Sequence, residues 1–156
     1  MDATPRRNIL FVCSLGQIRS FTASTLCLMG GAMARHCGAD LDRAMAPANV
    51  RLLRWADIVF CMERTHVRAL RKHFGDLADR PLAAKPLLSL GLEDIYEPFE
   101  PQLMADLGRV LFHHDEHVAE CLMVGAERFN ASGMERTLGP RKSVLFSKPS
   151  LKMPER

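Results

Sequence analysis

At 156 residues, 47% of them apolar and with a formal net charge of +3, the chain suits one compact domain and leaves no room for two comfortable ones. The charge excess is local: Glu135 to Arg156 holds six Lys/Arg against two acidic residues, or +4, so the rest is near neutral and offers no globular nucleic-acid-binding face. The five cysteines (Cys13, Cys27, Cys37, Cys61 and Cys121) are odd in number, irregularly spaced and without a CxxC pair, which argues against a secreted disulfide framework or a zinc cluster.

The N-terminal MDATPRR is polar, and the apolar stretch after it ends on Cys13, too soon for a signal peptide core or a membrane span. The expectation is a cytoplasmic protein with reduced thiols and no membrane partner. Ile9 to Val12 is a continuous apolar run, as in a strand buried on both faces. A helical pattern follows from Ser20 through Leu26 to Arg35, weakened at Gly30-Gly31 and stopping near Gly38. Pro47 suits the first turn of a second helix reaching Arg54.

Asp57 to Met62 reads as the next buried strand, and His66 to Phe74 as a third helix that Gly75 stops. After a linker from Asp76 to Lys85, Pro86 to Leu90 reads as a short strand, and Gly91 to Pro101, with its glycine and prolines, as a loop. A last helix starts near Glu100-Pro101, passes Leu103, Leu107, Val110 and Leu111, and continues to Phe129 with a kink at His113-His114-Asp115. Strands alternating with helices predict a single α/β domain over residues 1–129 with a parallel sheet. Residues 130–156 read as a basic tail, a segment available to bind a partner.

In such a sheet the loop between the first strand and first helix lies where ligands bind. Cys13 to Arg19 fills it. Backbone N–H groups of Ser14, Leu15, Gly16, Gln17 and Ile18, curling toward a helix start, would form an anion nest. Donors of that kind favour the nucleophilic thiolate. Gly16 supplies a left-handed backbone position, and Arg19 offers a planar fork for two phosphate oxygens. Ser20 can hydrogen-bond a thiolate and assist its departure. The parts fit covalent phosphoryl transfer without metal or other cofactor.

The spacing CSLGQIRS (Cys13 to Ser20), placed directly after the first strand, resembles the low-molecular-weight protein tyrosine phosphatases, in particular their short bacterial branch. Two further segments share the likeness: WADIVFCME with Thr65-His66, and LEDIY (Leu92 to Tyr96) with Phe99-Glu100-Pro101. The resemblance implies a four-stranded parallel sheet flanked by helices. It implies Cys13 as nucleophile, Arg19 as phosphate clamp, Ser20 as thiolate partner, Asp94 as general acid then base, and Tyr96 lining the substrate slot. The substrate would be a phosphotyrosine protein or another aryl phosphate. Glu93, Glu97 and Glu100 are rivals for the acid role.

The chain departs from that family at Gly16, where an asparagine side chain usually braces the loop, at Phe21, usually proline, and at Ile18, where many members carry a protective second cysteine. Two other functions stay open: a phosphate- or phosphoprotein-binding module without turnover, and arsenate reduction, which needs a resolving cysteine that only Cys61 could supply. His113 and His117, four apart, would share a helix face, but the segment lacks the order HExxH and reads as a solvated face or kink. His36 and His66 read as surface or cap residues.

Overall fold

The computed structural model describes residues 6–75, 82 and 85–133. Four strands, β1 (Asn8–Cys13), β2 (Met33–Gly38), β3 (Ile58–Cys61) and β4 (Leu87–Ser89), form one parallel sheet in the order β2-β1-β3-β4. The helices are α1 (Arg19–Met29), α2 (Val50–Trp55), α3 (Arg64–Phe74), α4 (Pro101–His114) and α5 (Glu116–Ser132). The expected single α/β domain with a parallel sheet and a loop after the first strand is the architecture found.

Alternation along β1 sorts the core into two layers. Ile9, Phe11 and Cys13 pack with Leu26 of α1, Leu103 and Leu107 of α4, and Leu122 and Phe129 of α5. Leu10 and Val12 face the other way, onto Leu53 of α2 and Leu70 of α3. Leaving β1, the chain adds β2 on one side and then returns across β1 to add β3 on the other. The carboxyl end of β1 is therefore the point where strand order reverses, and the sheet opens a crevice there.

One expected element is corrected. The helix read from Ser20 to Arg35 ends at Met29: Gly30 donates to the carbonyls of Leu26 and Cys27, Gly31 turns with φ +97°, and residues 33–38 are strand β2. Met33, Ala34 and Arg35 suit a helix by propensity, but pairing beside β1, from Asn8 with Met33 to Cys13 with Gly38, outweighs that preference. The second helix starts at Val50, three residues beyond Pro47, because the Asn49 side chain accepts the Leu52 N–H at 2.9 Å and caps it there. The kink expected at residues 113–115 is a full break at Asp115, whose carboxylate accepts from Val118 N at 3.2 Å and pairs with Arg7 at 2.5 Å.

Helix α5 crosses α1 at backbone contact. A Cβ placed on Gly125 would lie 1.7 Å from the Leu26 carbonyl oxygen, and one on Gly30 would lie 1.8 Å from that of Cys121. Because α1 begins at Arg19, this crossing also sets the position of the loop that precedes it. Helix α5 runs three residues past the boundary expected at Phe129. The rest of the basic tail, from residue 134, and most of the linker expected at 76–85 lie outside the described residues. Among the described residues no helix is long and apolar enough to cross a membrane.

Candidate active site

Residues 14–18 turn from the end of β1 into α1 and enclose a cleft of about 30 Å³ lined by Cys13, Ser14, Leu15, Gln17, Ile18, Arg19 and Asp94. Cys13 sits at its floor, 3% exposed. Its Sγ accepts the Gly16 N–H at 3.2 Å and lies 3.0 Å from Ser20 Oγ. Among the described residues, the backbone N–H groups of Leu15, Gln17 and Ile18 donate to no protein acceptor. The loop thus leaves donors free beside a thiol, as an anion nest requires.

Gly16 adopts φ +73°, a conformation that favours glycine. A Cβ there would meet the Cys37 carbonyl carbon at 2.9 Å and Gly38 N at 3.0 Å. The end of β2 thus fills the space beside Gly16 with backbone. The two residues that follow β2 hold the chain entering the loop: Ala39 N donates to Cys13 O at 2.7 Å and Asp40 N to Ser14 O at 3.0 Å. The loop is braced by a neighbouring strand, without an asparagine side chain at position 16.

Arg19 is 1% exposed although charged. Burial of a guanidinium is tolerated only with compensation, and here it comes from Glu63 Oε2 at 2.5 Å and the Leu92 carbonyl at 2.6 Å, both accepting from Nη1. Its Nε has no hydrogen-bond partner among the described residues. Asp94 Oδ1 stands 3.8 Å from that nitrogen. Nη1 is fixed by protein, and Nε is a buried donor without a hydrogen-bond partner among the described residues in a side chain that lines the cleft.

Asp94 is 59% exposed and reaches the cleft rim from the loop after β4. Its rivals stand elsewhere: Glu93, Glu97 and Glu100 do not line the cleft, and Glu100 Oε1 accepts the Glu97 N–H at 2.9 Å. The loop is anchored behind Asp94 by aromatic packing. Phe99, at φ +58°, stacks on Phe129 with centroids 4.6 Å apart and meets Phe21 edge-on at 5.6 Å, while its N–H donates to Thr22 Oγ1 at 3.2 Å. Phe21, unusual by the family resemblance, is therefore a strut between α1 and the loop that carries Asp94.

Tyr96 is not at the cleft. It is buried, and its hydroxyl donates to Asp106 Oδ2 at 2.7 Å. Ile95, beside Asp94, is the exposed apolar side chain of this turn.

The structure adds two residues that motif reading did not single out for the site. Glu63 and His66 begin α3 as a reciprocal cap: the Glu63 carboxylate accepts the His66 N–H, and His66 Nδ1 accepts the Glu63 N–H at 3.0 Å. His66 Nε2 lies 3.0 Å from Ser14 Oγ. Burial lowers the His66 pKa to about 4, helped by the Arg19 charge and opposed by Glu63 and Asp94. The ring is neutral near pH 7. Its sequence signal was the order Glu-x-x-His before an amphipathic run, a variant of the capping box. His36, also read as a surface or cap residue, is half-buried and edge-on to Phe21 at 5.3 Å.

The remaining thiols are remote in chemistry. Cys37 and Cys61 flank Val12 on neighbouring strands and belong to the opposite core layer from Cys13. Burial pushes the Cys37 thiol up to about 12 and raises that of Cys61 further. Among the described residues no three His, Cys, Asp or Glu side chains converge as metal ligands. His113 lies in the last turn of α4 and His117 on α5, so the four-residue spacing does not place them on one helix face.

No protein-family profile matches the sequence, and no curated protein sequence does. Among solved structures, a mutant of YwlE from Bacillus subtilis aligns over 80% of this chain and 99% of its own, at 17% identity and a TM-score of 0.44. YwlE arginine phosphatase from Geobacillus stearothermophilus aligns over 83% and 96%, at 18% identity and a TM-score of 0.45. YfkJ from Bacillus subtilis aligns over 86% and 99%, at 15% identity and a TM-score of 0.41. Likeness of this extent leaves the chemistry to be read from the side chains of the chain itself.

Proposed function

We propose that the protein is a phosphomonoester hydrolase that works through a cysteinyl-phosphate intermediate, with an aryl phosphate such as phosphotyrosine as substrate, in the manner of the low-molecular-weight protein tyrosine phosphatases. The observation that carries this reading is the buried Arg19, pinned by Glu63 and Leu92 through one nitrogen while Nε has no hydrogen-bond partner among the described residues, beside a cleft lined by Cys13. An unpaired buried donor is costly unless a ligand completes it. A tetrahedral dianion supplies the missing acceptors for Nε and for the free loop amides.

The Cys13 thiolate attacks phosphorus as the ester P–O bond breaks, and Asp94 gives its proton to the departing oxygen. Water then attacks the S–P bond, Asp94 takes the water's proton, and Ser20 Oγ hydrogen-bonds the leaving thiolate. Phosphate departs and Cys13 is restored. Arsenate reduction finds less support, because the cleft lining contains no thiol besides Cys13.

The test is hydrolysis of p-nitrophenyl phosphate in chelator-containing buffer by the parent and by Cys13→Ser. The parent should turn over, and the variant should lose turnover while still binding inorganic phosphate, since the loop amides and Arg19 remain. Phosphate binding without turnover in the parent would favour the binding module. Equal turnover in the variant would remove the covalent mechanism.

A further inference from the structure

The asparagine brace implied by the family resemblance is absent at Gly16, yet both ends of the loop are tied to a second element. Ser14, directly after Cys13, meets His66 Nε2 at 3.0 Å, and Arg19, which closes the loop, meets Glu63 Oε2 at 2.5 Å. Glu63 and His66 are the cap and third residue of a single helical turn.

We propose that the first turn of α3 is the brace of the phosphate loop, with His66 a positioning residue that fixes Ser14 and Glu63 one that fixes Arg19. The proposal rests on the phosphatase reading above. Its plainer rival is a capping box that merely starts α3. Such a box needs His66 Nδ1 and the Glu63 carboxylate, and nothing more. The Nε2 contact is surplus to it.

Proton bookkeeping gives that contact its direction. Nδ1 accepts the Glu63 N–H, so the neutral ring carries its hydrogen on Nε2, which must donate to Ser14 Oγ. The charged groups acting on the ring are Arg19, Glu63 and Asp94. The Arg19 charge and burial together keep the ring neutral, and a neutral ring can accept on one side and donate on the other. The Glu63 carboxylate is likewise double-used, accepting from the His66 N–H and from Arg19. One rigid turn therefore fixes the hydroxyl beside the nucleophile and the orientation of the guanidinium, and any shift of α3 moves both ends of the loop together.

The test separates cap from brace. In His66→Asn the amide oxygen can replace Nδ1 as acceptor for the Glu63 N–H, but the shorter side chain cannot reach Ser14. Ser14→Ala removes the same bond from the other side and keeps the loop amide. kcat/KM for p-nitrophenyl phosphate, the Kd of inorganic phosphate and the melting temperature are measured for the parent, both single variants and the double variant. Each single variant should lose about three- to tenfold in kcat/KM, the worth of one hydrogen bond, with little change in melting temperature. The double variant should lose no more than the worse single.

Parent-like activity in His66→Asn, or losses that multiply in the double variant, would overturn the brace while parental turnover keeps the phosphatase. Should His66→Asn fail to fold, Ser14→Ala alone decides by the same criterion of loss or no loss. A parent that binds phosphate without turnover would overturn the hydrolase, and the same cycle read in Kd would decide the brace. A parent that does neither would overturn both.

Discussion

Arg19→Lys tests the site most directly, because it keeps the charge and removes only the geometry. The guanidinium uses Nη1 twice, toward Glu63 at 2.5 Å and Leu92 O at 2.6 Å, and Nε has no hydrogen-bond partner among the described residues. A lysine has one nitrogen. Held where Nη1 sits, it satisfies Glu63 and Leu92 but presents nothing where Nε was; pulled toward the ligand, it strands two buried acceptors. Either way at least one charge-assisted hydrogen bond is lost, worth about 1.5 to 3 kcal/mol, which is roughly 10- to 150-fold in rate. The ion pair with Glu63 survives in the first arrangement, so the loss should fall on phosphate binding and turnover more than on the melting temperature. The assay is kcat/KM for p-nitrophenyl phosphate with the inhibition constant of inorganic phosphate beside it, and both should worsen together. A variant within threefold of the parent in both would refute the idea that the open Nε is a ligand donor and would leave Arg19 as a structural partner of Glu63.

Asp94→Asn should slow phenyl phosphate, a poor leaving group, by about a hundredfold or more and affect p-nitrophenyl phosphate far less; equal slowing of the two esters would assign Asp94 to loop stability. Gly125→Ala should destabilise the fold by about 3 kcal/mol or more, since its Cβ would sit 1.7 Å from the Leu26 carbonyl oxygen, which must move with the rest of α1. Thermal unfolding measures it, and a melting temperature within about two degrees of the parent would mean that α5 does not hold α1 at this crossing.

The buried strands β1 and β3 were legible because residues enclosed on both faces must be apolar throughout, and Ile9 to Val12 and Ile58 to Cys61 are. Strand β2 was not, because it lies at the sheet edge. Its outward residues Met33 and Arg35 are exposed, and Arg35 lies over the Trp55 ring at 4.6 Å. A helix-forming composition met an edge strand, and only the partner strand decided between them. Gly30-Gly31 carried the true boundary, and its reading as a local weakness missed the cross-chain reason: Gly30 is small because Cys121 of α5 lies against it. That contact joins residues about ninety positions apart, beyond the reach of any window of sequence.

The loop from Cys13 to Ser20 divides in the same way. Cys13, Arg19 and Ser20 announce themselves by spacing, since one turn of chain into a helix must bring them together. The residues that hold them in place do not. Glu63 and His66 arrive from a different crossover, and the backbone of Cys37 and Gly38 from a third. This explains how a loop with glycine at position 16 can be held without a side-chain brace there. Preorganisation depends on how many independent elements constrain the loop rather than on one particular side chain. Here the two residues after β2, Ala39 and Asp40, bond the carbonyls of Cys13 and Ser14, and the start of α3 engages Ser14 and Arg19. At Gly16 a larger residue would have to displace the strand that does part of the bracing. An asparagine placed there would therefore remove one support in order to add another, because the glycine and the strand backbone that fills the space beside it fit only together.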